Sequence, residues 1–321
     1  MKMKIMFHDQ CFDGAASASL FARFFREVVD PNAELEFAGK RHARGPVFDN
    51  RDFTADDHAV LDFRYVADPR LGWWVDHHAS AFSSPADVEH FGTRPRDHFF
   101  YDPLARSCAG LIVRSMVKTW GWDAGNYEEL LRWAEIIDGA QFASPDQATS
   151  LAEPALRLAA FVEHNTSPAL TARLVEQLSL RPLAELAREP WIEPVVEAVA
   201  AQQRASEALI APRIRVEHGV ALLDLGDEGC GYNKFSPYKL APDAAYVVAV
   251  SSAHGTAKVS VGINPWHRPS VPHHIATLCE RYGGGGHAVV GAVTLPDASP
   301  AVLAEARSIA DEMVAQLRKD P

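Results

Sequence analysis

Residues 72–78, Gly72-Trp-Trp-Val-Asp-His-His78, form an apolar run that ends in an acid and two histidines. A short apolar run of this kind is typical of a strand that is buried on both faces of a parallel sheet. Three other segments share this form: residues 7–14 (Phe-His-Asp-Gln-Cys-Phe-Asp-Gly), 60–62 (Val-Leu-Asp) and 136–139 (Ile-Ile-Asp-Gly). Ligands of an open parallel sheet bind beyond the carboxyl ends of its strands. We therefore expect these polar residues to converge in one crevice.

The surrounding sequence predicts an α/β fold for the first half of the chain. Apolar runs alternate there with helical patterns, which argues for a parallel sheet. The predicted strands are residues 4–7, 34–38, 58–61 and 72–75, and the predicted helices are residues 14–25, 104–120 and 126–137. Residues 151–213 continue as an Ala-rich helical region, in which residues 192–209 are expected to form a connecting helix.

The pattern changes after Pro212 and predicts a smaller α+β domain. Strands are expected at residues 219–224, 244–250, 257–263 and 288–295, and helices at residues 274–282 and 300–317. The strands at 244–250 and 257–263 are expected to pair across His254 and Gly255. We therefore predict two domains, residues 1–204 and residues 205–321, joined by a helical linker.

Composition limits the class of protein. The chain has 321 residues, and 47% hydrophobic and 23% charged residues are values typical of a globular protein. Lys and Arg number 31 against 42 Asp and Glu, so the net charge is −11. Because the phosphates of long duplex nucleic acid must be met by Lys and Arg, an acidic chain is a poor partner for it. A small phosphate ligand at a local site is not excluded.

The same sequence argues against a membrane or secreted protein. No apolar run approaches the roughly 20 residues of a membrane helix, and the first residues contain too short an apolar stretch for a signal peptide. The four cysteines, Cys11, Cys108, Cys230 and Cys279, form no close pair in the sequence. We expect free thiols in a reducing compartment, and therefore a cytoplasmic protein with no membrane partner.

Each candidate residue also has an ordinary structural interpretation. A single Asp after a strand is most often a helix cap or a turn residue, and two adjacent histidines can be an exposed pair. The glycine run at residues 283–286, before His287, can form a nest of backbone amides that binds an anion, or it can simply end a helix. The functional interpretation depends on the combination, since histidines with several carboxylates suit two adjacent divalent ions such as Mn²⁺ or Mg²⁺.

In this combination the sequence resembles the DHH phosphoesterase superfamily, named for the tripeptide that stands here as Asp76-His-His78. The other motifs follow in the family's order: His8, Asp13 and Gly14 for the first, Asp62 for the second, Asp138 for the fourth and Gly284-Gly-Gly-His287 for the DHH-associated carboxyl-terminal domain. The resemblance covers nearly the whole chain. It implies a catalytic parallel-sheet domain and a smaller α+β domain that binds substrate.

The resemblance implies a hydrolase that cleaves phosphoester bonds with two divalent ions, commonly Mn²⁺, with Mg²⁺, Co²⁺ and Zn²⁺ as alternatives. Two ions activate a water and offset the negative charge that develops at phosphorus. By position, the resemblance assigns as metal ligands His8, Cys11, Asp13, Asp62, His77 and Asp138; as catalytic residues Asp76 and His78; and as substrate-binding residues Gly284, Gly285, Gly286 and His287. In this scheme Asp62 bridges both ions, and Asp76 is a ligand or orients a histidine.

Two positions depart from the family pattern. The residue at Cys11 is usually acidic; here Cys11 can ligate the first ion as a thiolate, Asp9 can replace it, the first ion can bind weakly, or Cys11 can merely pack. A thiolate would favour softer metals such as Zn²⁺. The glycine after the Gly-Gly-Gly-His signature stands at Gly291, one position earlier than in the family, which puts substrate contacts in doubt more than catalysis.

Weaker candidates lie outside these motifs. Arg106 and Ser107, at a predicted helix start, can face an anion or only solvent. The polar residues after a strand of the second domain, Asn264, His267 and Arg268, can contact a nucleotide or form an ordinary loop. We expect the Trp73-Trp74 pair to belong to the core.

The sequence favours a phosphodiesterase or phosphatase that acts on small nucleotides: short oligonucleotides, 3′-phosphoadenosine 5′-phosphate (pAp) or a cyclic dinucleotide. A RecJ-like single-strand exonuclease is a second enzyme, disfavoured by the acidic charge and by the absence of extra binding domains. Inorganic pyrophosphatases and exopolyphosphatases share the amino-terminal motifs but usually carry a different carboxyl-terminal domain. A nucleotide-binding regulatory protein with an impaired first metal site, supported by Cys11, is the alternative from another class. The sequence leaves a homodimer open.

Overall fold

A computed structural model describes residues 1–42, 47–123, 125–229, 231–253 and 255–319. Cys230, one of the predicted free thiols, and His254, in the predicted strand connection, lie outside the described residues. The chain forms two compact units: Met1–Phe142 with Leu151–Val199, and Ala143–Ser150 with the chain from Ala200 onward. The assignment of catalysis to residues 1–204 and of substrate binding to residues 205–321 stays a prediction.

The first unit contains a five-stranded parallel sheet in the order β2-β1-β3-β4-β5. Its strands are β1 (Lys2–His8), β2 (Glu34–Lys40), β3 (Asp57–Leu61), β4 (Trp73–Asp76) and β5 (Phe99–Tyr101). The second unit contains a six-stranded mixed sheet, whose strands are β6 (Ile214–Glu217), β7 (Val220–Leu225), β8 (Tyr246–Ala253), β9 (Thr256–Ile263), β10 (Gly285–Gly286) and β11 (Val290–Thr294). Its order is β10-β11-β9-β8-β7-β6, and only the β7–β8 pairing is parallel among the described strands.

The helices, in chain order, are α1 (Phe12–Phe24), α2 (Pro85–Gly92), α3 (Cys108–Trp120), α4 (Glu128–Asp138), α5 (Pro145–Ala148), α6 (Pro154–His164), α7 (Pro168–Leu178), α8 (Leu183–Leu186), α9 (Glu193–Ile210), α10 (Ser236–Leu240), α11 (Ile275–Glu280) and α12 (Pro300–Leu317). Helix α1 continues as a π-helical turn over Phe25–Val29. Most of α1 is buried, which explains its run of small residues.

The central strands of the first sheet bury both faces. Ile5 and Trp73 belong to the core that packs against α1 and α3, whereas Met6, Val60 and Trp74 belong to a second core on the other face. Neighbouring residues of a strand point to opposite faces, so the Trp73-Trp74 pair is divided between the two cores, as expected of core residues. Continuous apolar runs are the result of this two-sided burial.

In the second unit, α12 covers one face of the mixed sheet. Leu303, Ala306, Ala310 and Met313 are buried in a core shared with β8 and β9. Their spacing of three or four residues is that of one helix face. The predicted amphipathic helix at residues 300–317 therefore has the expected bounds.

The predicted fold class, α/β with a parallel-sheet domain followed by a smaller α+β domain, is confirmed, and the sheet of the second domain is mixed. The sequence missed three strands and three helices, namely β5, β6, β10, α2, α5 and α10. Most of these are too short for a period to show: β10 has two residues, β5 three and α5 four. None of the described helices is long and apolar enough to cross a membrane.

Candidate active site

The carboxyl ends of three adjacent strands place polar residues in one row. Phe7 of β1 lies beside Leu61 of β3, which lies beside Val75 of β4. The residues that come next along each strand therefore lie side by side, and they are His8, Asp62 and Asp76. This is the edge at which open parallel sheets bind ligands.

Asp62 lies in the middle of this row with only 1% of its surface exposed. Its amide donates to the Val75 carbonyl at 2.9 Å. Its φ of 54° lies in the left-handed region, which is uncommon for residues other than glycine. Neither of its carboxylate oxygens has a hydrogen-bond partner among the described residues. Because buried charges in proteins are paired or coordinate metals, Asp62 fits a cation.

Asp13 enters the same site from the first turn of α1, where it is buried. Its two oxygens accept hydrogen bonds from the backbone amides of Cys108 at 2.6 Å and Ala109 at 3.0 Å, which begin α3. A carboxylate at a helix amino terminus satisfies free amides and complements the helix dipole. Asp13 therefore joins α1 to α3 and also lies 3.7 Å from the His77 ring nitrogen Nε2.

His77 is oriented by its backbone surroundings. Its Nδ1 lies 3.0 Å from the Ala105 carbonyl oxygen, which can only accept, so the proton is on Nδ1. This leaves Nε2 facing the carboxylates, 3.5 Å from Asp62 and 3.6 Å from Asp138, and without a hydrogen-bond partner among the described residues. A histidine that donates one ring N–H to a carbonyl and leaves the other nitrogen free has the arrangement of a metal ligand.

Asp76 fixes the orientation of His78 through a hydrogen bond. Its Oδ1 accepts from the amide of His77 at 2.8 Å and lies 2.7 Å from Nδ1 of His78. This hydrogen bond raises the pKa of His78. The other oxygen of Asp76, Oδ2, is buried without a partner in the described part of the chain. Asp76 therefore fixes the ring of His78 and leaves its Nε2 for a further contact.

Asp138 is the last residue of α4 rather than the end of a strand. The helix ends in a Schellman arrangement, in which the Gln141 amide donates to Ile136 at 2.8 Å and Ala140 takes a φ of 49°. A carboxylate at a helix carboxyl terminus is opposed by the helix dipole. A neighbouring cation would offset that repulsion.

Cys11 and Asp9, the two candidate ligands of the first ion, have different surroundings. Asp9 accepts a hydrogen bond from Arg41 at 2.8 Å and packs against Gly39 of β2. Cys11 directly precedes α1, and its sulfur lies with His8 and Asp62 in a group of possible ligand atoms. The pairing with Arg41 gives Asp9 a structural partner, while Cys11 faces the site.

Three triads of possible ligand atoms overlap at this edge. In each, the atoms lie within 4.8 Å of one another; they are His8-Cys11-Asp62, Asp62-His77-His78 and Asp13-His77-Asp138. Five of the buried nitrogen and oxygen atoms without partners in the described chain belong to this site: His8 Nδ1, both Asp62 oxygens, Asp76 Oδ2 and His77 Nε2. Such a concentration is the pattern expected of a site that binds cations. The structure thus brings together all eight residues that the resemblance assigned to metal binding and catalysis.

The electrostatics of the cluster point in the same direction. Burial raises the pKa of Asp13 well above its ordinary value, and the charges of Asp62 and Asp138 raise it further. Burial also raises the pKa of Asp138. Burial lowers the pKa of His77, but the neighbouring Asp62 carboxylate and the hydrogen bond to the Ala105 carbonyl outweigh it, and the pKa rises to about 10. These directions describe a site with too little positive charge for its carboxylates.

Sequence reasoning missed two nitrogen-bearing side chains, His42 and Arg64, beside this cluster. The His42 ring stacks on Phe63 with 4.6 Å between ring centroids and meets the His8 ring edge-on at 4.8 Å. Arg64 donates to His42 Nδ1 at 3.1 Å and forms no ion pair with a carboxylate in the described chain. Arg64 stands two residues after Asp62, which is a signal that could have found it. No sequence signal marks His42.

The weaker candidates from the sequence fall into two groups, buried residues with structural roles and exposed residues. Ser107 is fully buried and caps α3 by accepting from the Gly110 amide, and Asn264 is buried and bonds to backbone groups at Pro242, Ala244 and Trp266. Both therefore have structural roles. Arg106 is exposed and lies 3.8 Å from Glu135. His267 and Arg268 are exposed in a loop.

The glycine segment Gly284–His287 lies in the second unit and pairs with β11. A Cβ at Gly284 would stand 2.3 Å from the Ala292 carbonyl oxygen, and one at Gly286 would stand 2.3 Å from that of Val290. Gly285 has open space at the same position, and the exposed His287 bonds to Val290 through its backbone. Close approach of two strands therefore accounts for two of the glycines. The predicted role of the segment in substrate binding stays a prediction.

No family model and no curated protein sequence matches this chain. Solved structures do match. The pGpG-specific phosphodiesterase PggH from Vibrio cholerae aligns with a TM-score of 0.66 and 20% identity, over 98% of this chain and 99% of its own. The DHH domain of a member of a family of ribosomal proteins aligns with a TM-score of 0.59 and 12% identity, over 99% of this chain and 87% of its own.

RecJ from Thermus thermophilus in complex with Mn²⁺ aligns with a TM-score of 0.55 and 12% identity, over 100% of this chain and 53% of its own. The protein therefore shares the fold of these structures, one of which is a DHH domain, and the predicted resemblance is confirmed for the fold.

Proposed function

We propose that this protein is a two-metal phosphoesterase that hydrolyses phosphoester bonds of small nucleotides: short oligonucleotides, pAp or cyclic dinucleotides. The observation that carries the proposal is the overlap of three ligand triads, two of which share Asp62, whose buried oxygens lack partners among the described residues. The similarity in fold to a pGpG-specific phosphodiesterase, over nearly the full length of both chains, supports a dinucleotide as the first substrate to test.

The site residues divide into two ligand sets that share Asp62. His8 and Cys11 would hold one ion with Asp62, and Asp13, His77 and Asp138 would hold the other. When bound, the ions would supply an activated water and positive charge at the phosphoryl group. Mn²⁺ or Mg²⁺ is supported by the donor set of the second site and by the RecJ structures that contain each of them.

The chain's own residues hold this arrangement before substrate arrives. Asp13 is fixed by two amides of α3, and His77 by the Ala105 carbonyl. Asp76 holds the His78 ring through Nδ1 and leaves Nε2 as the nitrogen that can contact a phosphate oxygen. Ligands positioned in advance avoid reorganisation during the reaction.

Arg64, held in place by His42, would recognise a second negative group of the substrate. The guanidinium lies 3.1 Å from His42, whose ring contacts the His8 ring, and it has no carboxylate partner among the described residues. Arg64→Ala should raise KM for a dinucleotide with a 5′-phosphate, with a smaller effect on the same dinucleotide without it. Arg70→Ala, which removes a guanidinium paired with Asp68, is the matched control. Equal effects on both substrates would argue against this role.

The direct test is turnover by the purified full chain with Mn²⁺ on 5′-phosphorylated dinucleotides, pAp and cyclic dinucleotides. We expect hydrolysis of at least one of them, and loss of that activity in Asp62→Asn. Asparagine is the suitable replacement because it tolerates the left-handed backbone of position 62. Absence of turnover with every divalent metal, together with retained nucleotide binding, would instead support the regulatory protein.

The RecJ-like exonuclease is the second candidate, favoured by the similarity in fold to RecJ. The net charge of −11 opposes binding of a long strand. Comparison of 5′-labelled single strands of increasing length decides between them, since the proposal expects activity to fall with length. A cytoplasmic location without membrane or long-duplex partners belongs to the same proposal, and a homodimer can be tested by light scattering.

A further inference from the structure

We infer that the first metal site is a thiolate site, in which Cys11 Sγ, His8 Nδ1 and Asp62 bind a softer divalent ion, such as Zn²⁺, Co²⁺ or Fe²⁺, than the second site does. The centre would then hold two different metals. This inference rests on the proposed function, because it concerns one half of the same site. It favours Cys11 over the alternatives of Asp9 or a weakened first ion.

The placement of Cys11 is the first argument. A ring nitrogen of His8, the sulfur of Cys11 and an oxygen of Asp62 lie within 4.8 Å of one another. Asp62 supplies an independent observation, since it is buried and both of its oxygens lack partners among the described residues. His8 Nδ1 is also buried without such a partner and lies 3.5 Å from Asp62. These two residues therefore point to a cation without reference to the cysteine.

The second argument is the contrast between the two ligand sets. Asp9, the nearest alternative acid, is held by Arg41, so the first set offers one nitrogen, one sulfur and one oxygen atom. The second set offers carboxylates from Asp13, Asp62 and Asp138 and one nitrogen from His77. Thiolate ligands select softer ions, whereas carboxylate-rich sets suit Mn²⁺ and Mg²⁺.

Binding of the ion to Cys11 is a proton exchange. The S–H bond of Cys11 is replaced by a sulfur–metal bond, and one proton passes to solvent, with no change in oxidation state.

The test uses the full-length protein under anaerobic conditions and Co²⁺ as the probe. A cobalt–thiolate bond gives a near-ultraviolet charge-transfer absorption that nitrogen and oxygen ligands do not give. We expect this band in wild type, its absence in Cys11→Ser and Cys11→Asp, and its retention in Cys279→Ser, which removes a buried cysteine of the second unit. The wild-type spectrum alone tests for a sulfur ligand if a Cys11 variant fails to fold.

Metal content after exposure to equal Zn²⁺ and Mn²⁺ gives a second measurement. We expect wild type to retain Zn²⁺ with Mn²⁺, and the Zn²⁺-to-Mn²⁺ ratio to fall by about tenfold or more in Cys11→Asp, since even loss of a partner of a ligand costs about 10–100-fold in metal affinity. An unchanged ratio, or cobalt-loaded wild type without the band, would overturn the inference.

Turnover in the same samples separates this inference from the proposed function. Hydrolysis by a protein that lacks the absorption band would support the phosphoesterase function and refute the thiolate site. If the protein shows the band but hydrolyses none of the substrates, the thiolate site is supported and the phosphoesterase function is refuted.

Discussion

At the carboxyl edge of the first sheet, polar side-chain atoms are buried without partners among the described residues, whereas in the segment Gly284–His287 of the second unit the backbone pairs with β11. Both regions carry motifs of the same family resemblance. In the first, the proposed binding of cations would explain the residue types. In the second, at least Gly284 and Gly286 are explained by the backbone that lies against them. Unpartnered buried atoms therefore point to a ligand, and glycines in close contact point to packing.

The largest expected effect is that of Asp62→Asn at the first region. We expect a loss of activity of about 10³-fold, because Asp62 belongs to both proposed ligand sets, and its loss would remove the several kcal/mol of charge stabilisation that bound ions would supply. Mn²⁺ should raise the melting temperature of wild type and not that of the variant, since a ligand at 100 times its Kd adds about 2.7 kcal/mol of stability. Steady-state kinetics and thermal denaturation measure the two effects.

Asp68→Asn is the control for this variant, because Asp68 pairs with Arg70 away from the cluster. Without metal, Asp62→Asn should be less stable than wild type near neutral pH, because the effect of burial on the pKa of Asp62 is outweighed by the nearby His77 and His8, which lower that pKa, and the folded state therefore favours its charge. A metal-free variant as stable as wild type would mean that these histidines do not stabilise the carboxylate.

Gly286→Ala tests the second region. Its φ of 154° and the Val290 carbonyl at 2.3 Å from an added Cβ predict a loss of stability of about 2–3 kcal/mol. Gly285→Ala is the matched control, because its Cβ would meet no atom within 4 Å. Chemical denaturation followed in the second unit measures the difference. If both variants keep full stability and lose nucleotide binding, the segment is a ligand site and the packing explanation is wrong.

A comparison of Asp13→Ala with Asp138→Ala tests whether two carboxylates of the first region differ in their contribution to stability. Both variants should lose metal from the second site. Asp13→Ala should also destabilise the metal-free protein by about 1–3 kcal/mol, because two amides of α3 lose their acceptor. Asp138→Ala should leave it unchanged or stabilise it by about 0.3–1 kcal/mol, since the helix dipole opposes that charge. Equal losses in both variants would contradict this division.

Local sequence pattern predicted the features that depend on a single strand or helix. Apolar runs located β1, β3 and β4, and the residues that follow them met at one edge because parallel strands share a direction. The DHH tripeptide and Asp62 were found in this way. The fold follows from the same alternation of strands and helices.

The features that were missed depend on contacts between distant segments. The capping of α3 by Asp13 joins residues 95 positions apart. The His42–Arg64 pair forms only when two loops meet beside β1 and β3. Position 62 adopts a left-handed backbone, with its amide bonded to Val75 of β4, and an aspartate in the sequence is too common to mark such a position. Periodicity cannot report contacts that only the assembled sheet creates.

The smallest expected effect is that of Ala140→Gly in the first region. Ala140 has a backbone conformation that glycine usually adopts. Ala140 takes a φ of 49° directly after Asp138 and Gly139, where helices usually place glycine. We expect the variant to gain about 0.5–1 kcal/mol, because the left-handed conformation costs alanine more than glycine. Ala172→Gly within α7 should instead lose about 1 kcal/mol, so the same substitution has opposite signs. If Ala140→Gly gains stability but binds Mn²⁺ more weakly, the strained backbone at Ala140 positions Asp138 for the metal. If Mn²⁺ binding is unchanged, the strain at Ala140 affects stability alone.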